Sequence, residues 1–136
     1  MNPLTHTLGY ALRGLIETYR FTTDRDVLDR ACKAADGLLS ALGPDGFLPG
    51  RLNRDWHGIT TWSCLTGTAE VASCWSLLYE LTNRPEYRDA AYRANAYLRR
   101  TIHYSGHPDM VGGIKGSYPI SGGYLPYLYP NWACKF

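Results

Sequence analysis

The feature that most constrains this fold is an internal repeat of helical pattern with a spacing of 59 residues. When Thr23 is placed over Thr82, three apolar positions coincide downstream: Ala31 with Ala90, Ala35 with Ala94, and Leu39 with Leu98. Upstream, the matched pairs are Thr7 with Thr66, Leu12 with Val71, and Ile16 with Trp75. A repeat of this kind marks stacked units, none of which can bury its apolar face alone.

Apolar residues recur at helical spacing in four segments, Thr5–Arg20, Asp24–Leu42, Trp62–Leu81 and Arg84–His103. Asp24 is a good N-cap, and Pro85 suits the first turn of a helix. Between these helices the chain is rich in Gly, Pro and aromatic residues, which predicts structured loops, with a short hairpin between Tyr104 and Pro130. The pattern therefore predicts two antiparallel helical hairpins.

The two helices of each hairpin differ in charge. The segment from Cys64 to Leu81 carries only Glu70 and Glu80, whereas the following helix has one strongly charged face. A helix with small residues all round packs on several sides, as the inner helices of an α/α barrel do. We expect an all-α fold, one domain over 1–136 that is a fragment of an α/α toroid. Its repeats cover about 5–60 and 61–130, and a third begins at Asn131, where Trp132-Ala133-Cys134 matches Trp62-Ser63-Cys64.

Composition excludes several classes of function. The net charge is +2 and the basic residues are scattered, which argues against a nucleic-acid partner. No apolar run approaches the length of a membrane span, and the N-terminus lacks the features of a signal peptide, so we expect a cytoplasmic protein without a membrane partner. The four cysteines form no CxxC pair, and we predict no metal and no cofactor.

In a toroid, the loops after the outer helices and the N-termini of the inner helices gather at one mouth. Here those segments are Leu4–Tyr10, Leu52–Thr68 and Lys115–Lys135. They mix aromatic side chains with titratable ones, a combination that suits a sugar ring and its hydroxyl groups. The catalytic candidates are His6, Asp55, His57 and Glu70. The substrate-binding candidates are Tyr10, Arg13, Trp56, Trp62, Lys115, Tyr118 and Trp132.

Two chemistries fit these candidates. Glycoside hydrolysis needs a pair of carboxyl groups, for which Asp55 and Glu70 are available. A polysaccharide lyase would instead use Tyr, His or Arg beside a uronic carboxylate, and the candidates for that role are His6, His57, Tyr118 and Arg13. Structural roles compete with both. Asp55 could have the purely structural role of stabilising its turn, Arg13 could pair with Glu17, and the tryptophans could be core residues.

The segments Thr61–Thr82, Thr5–Leu15 and Gly112–Ser117 resemble parts of the six-hairpin glycosidase superfamily. That superfamily includes unsaturated glucuronyl hydrolases and polysaccharide lyase toroids. The resemblance implies a carbohydrate-active protein, a hydrolase or a lyase, whose partner is an oligosaccharide or polysaccharide. Members of the superfamily carry more hairpins than this chain. We therefore expect a homo-oligomer or a missing chain segment, with an open flank around Cys74, Leu77, Leu78 and the Trp132 segment.

Two other classes of function remain open. A non-catalytic helical scaffold that binds a partner would account for the small number of hairpins, but not for the aromatic loops. A terpenoid cyclase or prenyltransferase toroid is similar in build. Those enzymes use Asp-rich motifs and Gln-Trp repeats, and this sequence has no glutamine and no clustered aspartates.

Overall fold

The computed structural model describes residues 2–135, apart from the side chain of Ala133. It contains four α-helices, α1 (Thr5–Thr22), α2 (Arg25–Ser40), α3 (Leu65–Thr82) and α4 (Pro85–Thr101). Strand β1 (Ser63–Cys64) pairs antiparallel with β2 (Ser117–Tyr118), and short 3₁₀-helices cover Pro108–Met110 and Asn131–Cys134. The predicted helical hairpins are confirmed.

The turns within the two hairpins have the same construction. Helix α1 ends at Thr23 and α3 at Asn83, both in the left-handed conformation with φ of 57° and 56°. These two caps are 60 residues apart, whereas the buried stripes of α2 and α4 keep the spacing of 59, as Leu28 and Tyr87 illustrate. A shift of one residue rotates a helix face by about 100°. Helices α1 and α3, which begin at Thr5 and Leu65, therefore align at 60 residues and not at the 59 that the match of Leu12 with Val71 indicated, whereas the buried faces of α2 and α4 align at 59.

Helices α1 and α3 lie side by side, with α2 packed on α1 and α4 packed on α3. Almost every residue of the first three turns of α3 is buried, while α4 buries one face and exposes its charged one. The fully buried Trp75 of α3 donates its indole N–H to the carbonyl oxygen of Ala35 in α2, at 3.2 Å. The expected contrast in burial between the two helices of a hairpin is therefore found for α3 and α4, whereas α1 buries only one stripe, as α2 does.

A polar cluster also joins the two hairpins. Asp36 of α2 accepts hydrogen bonds from the guanidinium of Arg84 at 2.8 and 3.2 Å and from the hydroxyl of Tyr87 at 2.8 Å. The Arg84 guanidinium lies 4.3 Å above the centre of the buried Tyr87 ring. This bidentate pair fixes α4 against α2 with a defined geometry.

Three loops meet the N-termini of α1 and α3 at one end of the bundle. The Thr5 N–H donates to Gly50 O at 3.0 Å, and the Leu65 N–H donates to Gly116 O at 3.1 Å. The indole of Trp62 is held between Gly50 and Gly123. The segments expected at the mouth therefore do lie together.

Three details differ from the sequence predictions. Helix α3 begins at Leu65 instead of Trp62, because Ser63 and Cys64 pair with β2. For the same reason, the strand in the loop from Tyr104 to Pro130 does not form a local hairpin. The segment from Asn131 forms a short 3₁₀-helix that packs on α3, with Phe136 outside the described residues.

The predicted open flank is wrong for Cys74, Leu77 and Leu78, which pack in or against the core, whereas Trp132 is 46% exposed. Cys74 and Leu78 are fully buried in the core, and the Cys74 thiol lies 3.8 Å from Gly9 O of α1. All four cysteines are free; Cys64 and Cys74 are buried, Cys32 is half-buried and Cys134 is exposed. No helix among residues 2–135 is both long and apolar enough to cross a membrane.

Close approach of α1 and α3 yields the first testable prediction. A Cβ atom at Gly67 would lie 2.8 Å from Cα of His6, and backbone cannot easily move away. We expect Gly67→Ala to lower the free energy of unfolding by about 1–3 kcal/mol in urea titrations. Gly14→Ala is the matched control, because a Cβ there meets nothing within 4 Å. It should raise stability by about 0.5–1 kcal/mol. Equal effects of the two substitutions would contradict the close packing.

Candidate functional site

Glu70 is a buried carboxyl group on an otherwise charge-poor part of α3. It is 1% exposed, and neither carboxyl oxygen has a hydrogen-bond partner among the described residues. Glu70 can be buried to this extent because its neighbours are small, and Gly9 of α1 lies directly against its side chain. A Cβ at Gly9 would stand only 3.2 Å from Glu70 Cγ. Burying a carboxyl group in this way is costly and marks a candidate functional position.

His6 lies in the first turn of α1 and faces Glu70. Its Nδ1 is 3.5 Å from Glu70 Oε2, and the His6 side chain is 16% exposed. The hydroxyl of Thr66, four residues before Glu70 on the same helix, is also buried and has no hydrogen-bond partner within residues 2–135. Buried polar atoms are normally paired, so this group points to a polar ligand.

Burial shifts the proton affinities of both groups towards their neutral forms. Loss of solvent raises the pKa of Glu70 to about 7, and the positive charges of Arg13 and Lys135 oppose this more weakly. Burial lowers the pKa of His6 below its usual value of 6.5. At about pH 7 Glu70 is therefore divided between its acid and carboxylate forms beside a neutral imidazole, and the pair can both donate and accept a proton.

Aromatic rings border this pair on its more open side. The His6 ring contacts Tyr10 edge-on at 4.6 Å between centroids, and Tyr124 at 5.3 Å. The indole N–H of Trp132 donates to the Tyr124 hydroxyl at 3.3 Å, and Trp132 is 46% exposed. These rings form a wall with polar tips, which we call the aromatic wall.

Arg13 lies close to the pair and has a structural partner as well. Its Nε donates to Glu17 at 2.8 Å, the pairing expected from their spacing in the helix. Its Nη1 reaches Ser73 of α3 at 3.4 Å, and its charge lowers the pKa of Glu70. Arg13 therefore provides positive charge beside the site.

The structure does not bring Asp55 or His57 into contact with Glu70 or His6. The Asn53 side chain accepts hydrogen bonds from the N–H groups of Asp55 and His57, which form an exposed turn. The Asp55 carboxylate lies 3.7 Å from Arg54 Nε. Trp56, in the same turn, packs on Gly37 of α2. These contacts support the structural roles that the sequence left open for this turn.

Lys115 and Tyr118 lie at the same end of the bundle but contact other groups. Lys115 Nζ donates to Thr101 O at the end of α4, and the rings of Tyr118 and Tyr129 are each 5.9 Å away. Its ammonium therefore caps α4, and burial lowers its pKa. Trp62 packs between two loops, so of the two tryptophans in equivalent repeat positions only Trp132 borders the site.

The sequence placed Thr66 at the mouth without giving it a catalytic or binding role, and it did not single out Tyr124. Tyr124 is positioned by Ser117, whose hydroxyl donates to Tyr124 O at 2.7 Å and accepts from Tyr124 N–H at 3.0 Å. The available signal was its place after Gly122-Gly123 in a segment expected at the mouth. Within residues 2–135, no group of three or more His, Cys, Asp or Glu side chains could hold a metal ion.

Comparisons with known proteins add no assignment. No protein-family profile matches the chain, and no curated protein matches it at a significant level. The His6–Glu70 pair and its surroundings are therefore the features from which we infer a function.

The raised pKa of Glu70 predicts a pH-dependent stability. Between about pH 4.5 and pH 7 the folded state holds the Glu70 proton more tightly than the unfolded state does. The free energy of unfolding should therefore fall as the pH rises through this window, by about 3 kcal/mol from this group. Glu70→Gln should remove that fall, as measured by denaturant titrations at several pH values.

The matched control is Glu80→Gln, because Glu80 is exposed on the same helix. It should leave the pH dependence as it is in the wild type. The lowered pKa of His6 acts with the opposite sign and is present in all three proteins. Identical pH profiles for wild type and Glu70→Gln would contradict a buried, protonated Glu70.

Proposed function

We propose that the chain is part of a carbohydrate-active α/α toroid in which His6 and Glu70 transfer protons to and from a bound oligosaccharide. The observation that carries the proposal is the buried carboxyl group with a pKa of about 7 beside a neutral imidazole. A general acid or base works best when its pKa lies near the working pH. Structural ion pairs seldom combine such burial with unpaired oxygen atoms.

The aromatic wall favours a sugar as the ligand. Tyr10, Tyr124 and Trp132 offer apolar ring faces on which a pyranose can stack, together with hydroxyl and indole N–H groups. The buried hydroxyl of Thr66 and the imidazole of His6 supply hydrogen-bonding atoms deeper in the site. Apolar walls with a few converging polar atoms are typical of small-ligand sites.

Of the two chemistries, elimination from a uronic acid has more support than hydrolysis. Hydrolysis requires a second carboxyl group across the scissile bond. Asp55, the candidate for that role, lies in an exposed turn that packs through Trp56 on α2, whereas Glu70 is buried between α1 and α3. Elimination requires a base, an acid and a positive charge for the uronic carboxylate. The neutral His6, the protonated Glu70 and the charge of Arg13 match these three needs.

The proposed step balances without any co-reactant. His6 accepts the proton on the carbon next to the uronic carboxylate, while Arg13 offsets the negative charge that develops there. The electron pair of that C–H bond forms the new carbon–carbon double bond, and the bond to the glycosidic oxygen breaks. Glu70 then gives its proton to the departing oxygen.

The test is an assay on oligosaccharides that contain uronic acids, with neutral oligosaccharides for comparison. We expect the ultraviolet absorbance of an unsaturated product from the uronic substrates. His6→Asn and Glu70→Gln should each lower turnover by roughly 100-fold or more, while binding measured by calorimetry persists. The matched controls are His57→Asn and Asp55→Asn, which change the same side-chain types in the exposed turn and should retain turnover.

Other outcomes separate the alternatives. Loss of activity in Asp55→Asn, with a reducing end released and no double bond formed, would favour hydrolysis by two carboxyl groups. Binding of oligosaccharides by a well-folded protein without any turnover would favour a binding module. Failure to bind any oligosaccharide would overturn the proposal.

A further inference from the structure

A groove runs between α3 and α4 on the side of the bundle that faces away from α1 and α2. It encloses a volume of about 750 Å³. Its walls come mainly from α3 and α4, where small side chains such as Ala69, Ala72, Ser76 and Ala91 lie beside larger ones such as Asn95 and Leu98 and beside the charged Glu80, Arg88 and Arg99. The exposed ring of Tyr92 stands at its edge.

The α3 wall of this groove has a counterpart in α1 that is already covered. With the 60-residue spacing of the helix caps, Ala69, Ala72 and Ser76 correspond to the α1 residues Gly9, Leu12 and Ile16. All three α1 residues are buried, and Gly9 lies against Glu70 of α3. The second hairpin therefore covers, on α1, the face that corresponds to the groove wall on α3.

The α4 wall has the same relation to α2. With the 59-residue spacing of the buried stripes, Ala91, Asn95 and Leu98 correspond to Cys32, Asp36 and Leu39. The hydroxyl of Tyr87 in α4 lies 3.3 Å from the carbonyl oxygen of Cys32 and donates to Asp36. Leu39 packs against the main core. Both walls of the groove therefore correspond to surfaces of α1 and α2 that are covered by the second hairpin.

A complementary surface is free on α1. Helix α3 faces α1 with Gly67, Val71, Cys74 and Leu78, all of which are buried. Their counterparts 60 residues earlier are Thr7, Ala11, Gly14 and Thr18, and these four are exposed. They share one helix face, which we call the leading face of α1. Beside it, Phe21 is 91% exposed, whereas its counterpart Leu81 packs against the core.

We propose that the occupant of the groove is the α1–α2 hairpin of a second copy of this chain. The leading face of that copy would lie on α3 as α3 itself lies on α1, so the repeat continues from one molecule to the next. Only the first hairpin can serve as the occupant, because α1 already covers the equivalent face of α3. The contact is head-to-tail, and such contacts form closed rings when the rotation per unit permits.

The experiment blocks each surface separately with the same new residue. Ser76→Arg places a long charged side chain in the groove, and Ala11→Arg places one on the leading face. Both positions are exposed, so neither change enters the core. Ala96→Arg is the matched control, because Ala96 is exposed on α4 and does not line the groove. Sedimentation and light scattering give the assembly state, and circular dichroism verifies the helical content of each variant.

Wild type and Ala96→Arg are expected to assemble at micromolar concentration, while Ser76→Arg and Ala11→Arg are each monomeric. An equimolar mixture of the two blocked variants should form a heterodimer that grows no further, because each retains the surface that the other lacks. If either variant loses helical content, Ser76→Glu and Ala11→Glu replace them. A well-folded monomeric wild type, blocked variants that assemble as the wild type does, or a mixture that does not pair would each overturn the proposal.

Discussion

The close approach of α1 and α3 is the contact on which the rest of the molecule depends. Gly9 and Gly67 lack side chains, and each lies where a Cβ atom would press on the opposite helix. This approach covers Glu70, removes water from its carboxyl group and fixes the first turn of α1, which carries His6, beside it. A larger residue at either glycine would separate the helices, and both the core and the acid–base pair would change together.

Burial of an uncompensated carboxyl group has a cost that the core must offset. Glu70 lies on the same helix as Trp75 and Leu78, both of which are fully buried. The indole N–H of Trp75 also donates a hydrogen bond to the Ala35 carbonyl oxygen of α2. Each large apolar side chain contributes about 1.5–3 kcal/mol when buried, which is comparable with the cost of holding Glu70 out of water. A site that is strained in this way is typical of function, since a stable helix alone would favour an apolar residue there.

Local patterns in the sequence were sufficient for the helices, the Asp24 cap and the location of His6 and Glu70 at the same end of the bundle, but they did not predict the direct contact of His6 with Glu70. Glu70 could be singled out because it is isolated on a charge-poor helix. The turn around Asp55 could not be placed, because its position depends on Trp56 packing against α2. The position of Tyr124 depends on its hydrogen bonds with Ser117. Which face of α3 lines the groove depends on how the helices pack. A helix with small residues all round gives no indication of which side meets its neighbours.

The acid–base pair and the groove lie on adjacent sides of one helix, so the two proposals are physically coupled. Ala69 lines the groove and its neighbour Glu70 faces His6. Under the repeat, the contact of Gly9 with Glu70 becomes a contact of Ala69 with Tyr10 of the docked copy. Glu70 is already 1% exposed, so that copy would act by replacing the water beyond Ala69 with protein, and a less polar surrounding favours the neutral carboxyl further. A ligand that binds the neutral pair would then bind the assembled form more tightly, and by linkage it would stabilise the assembly.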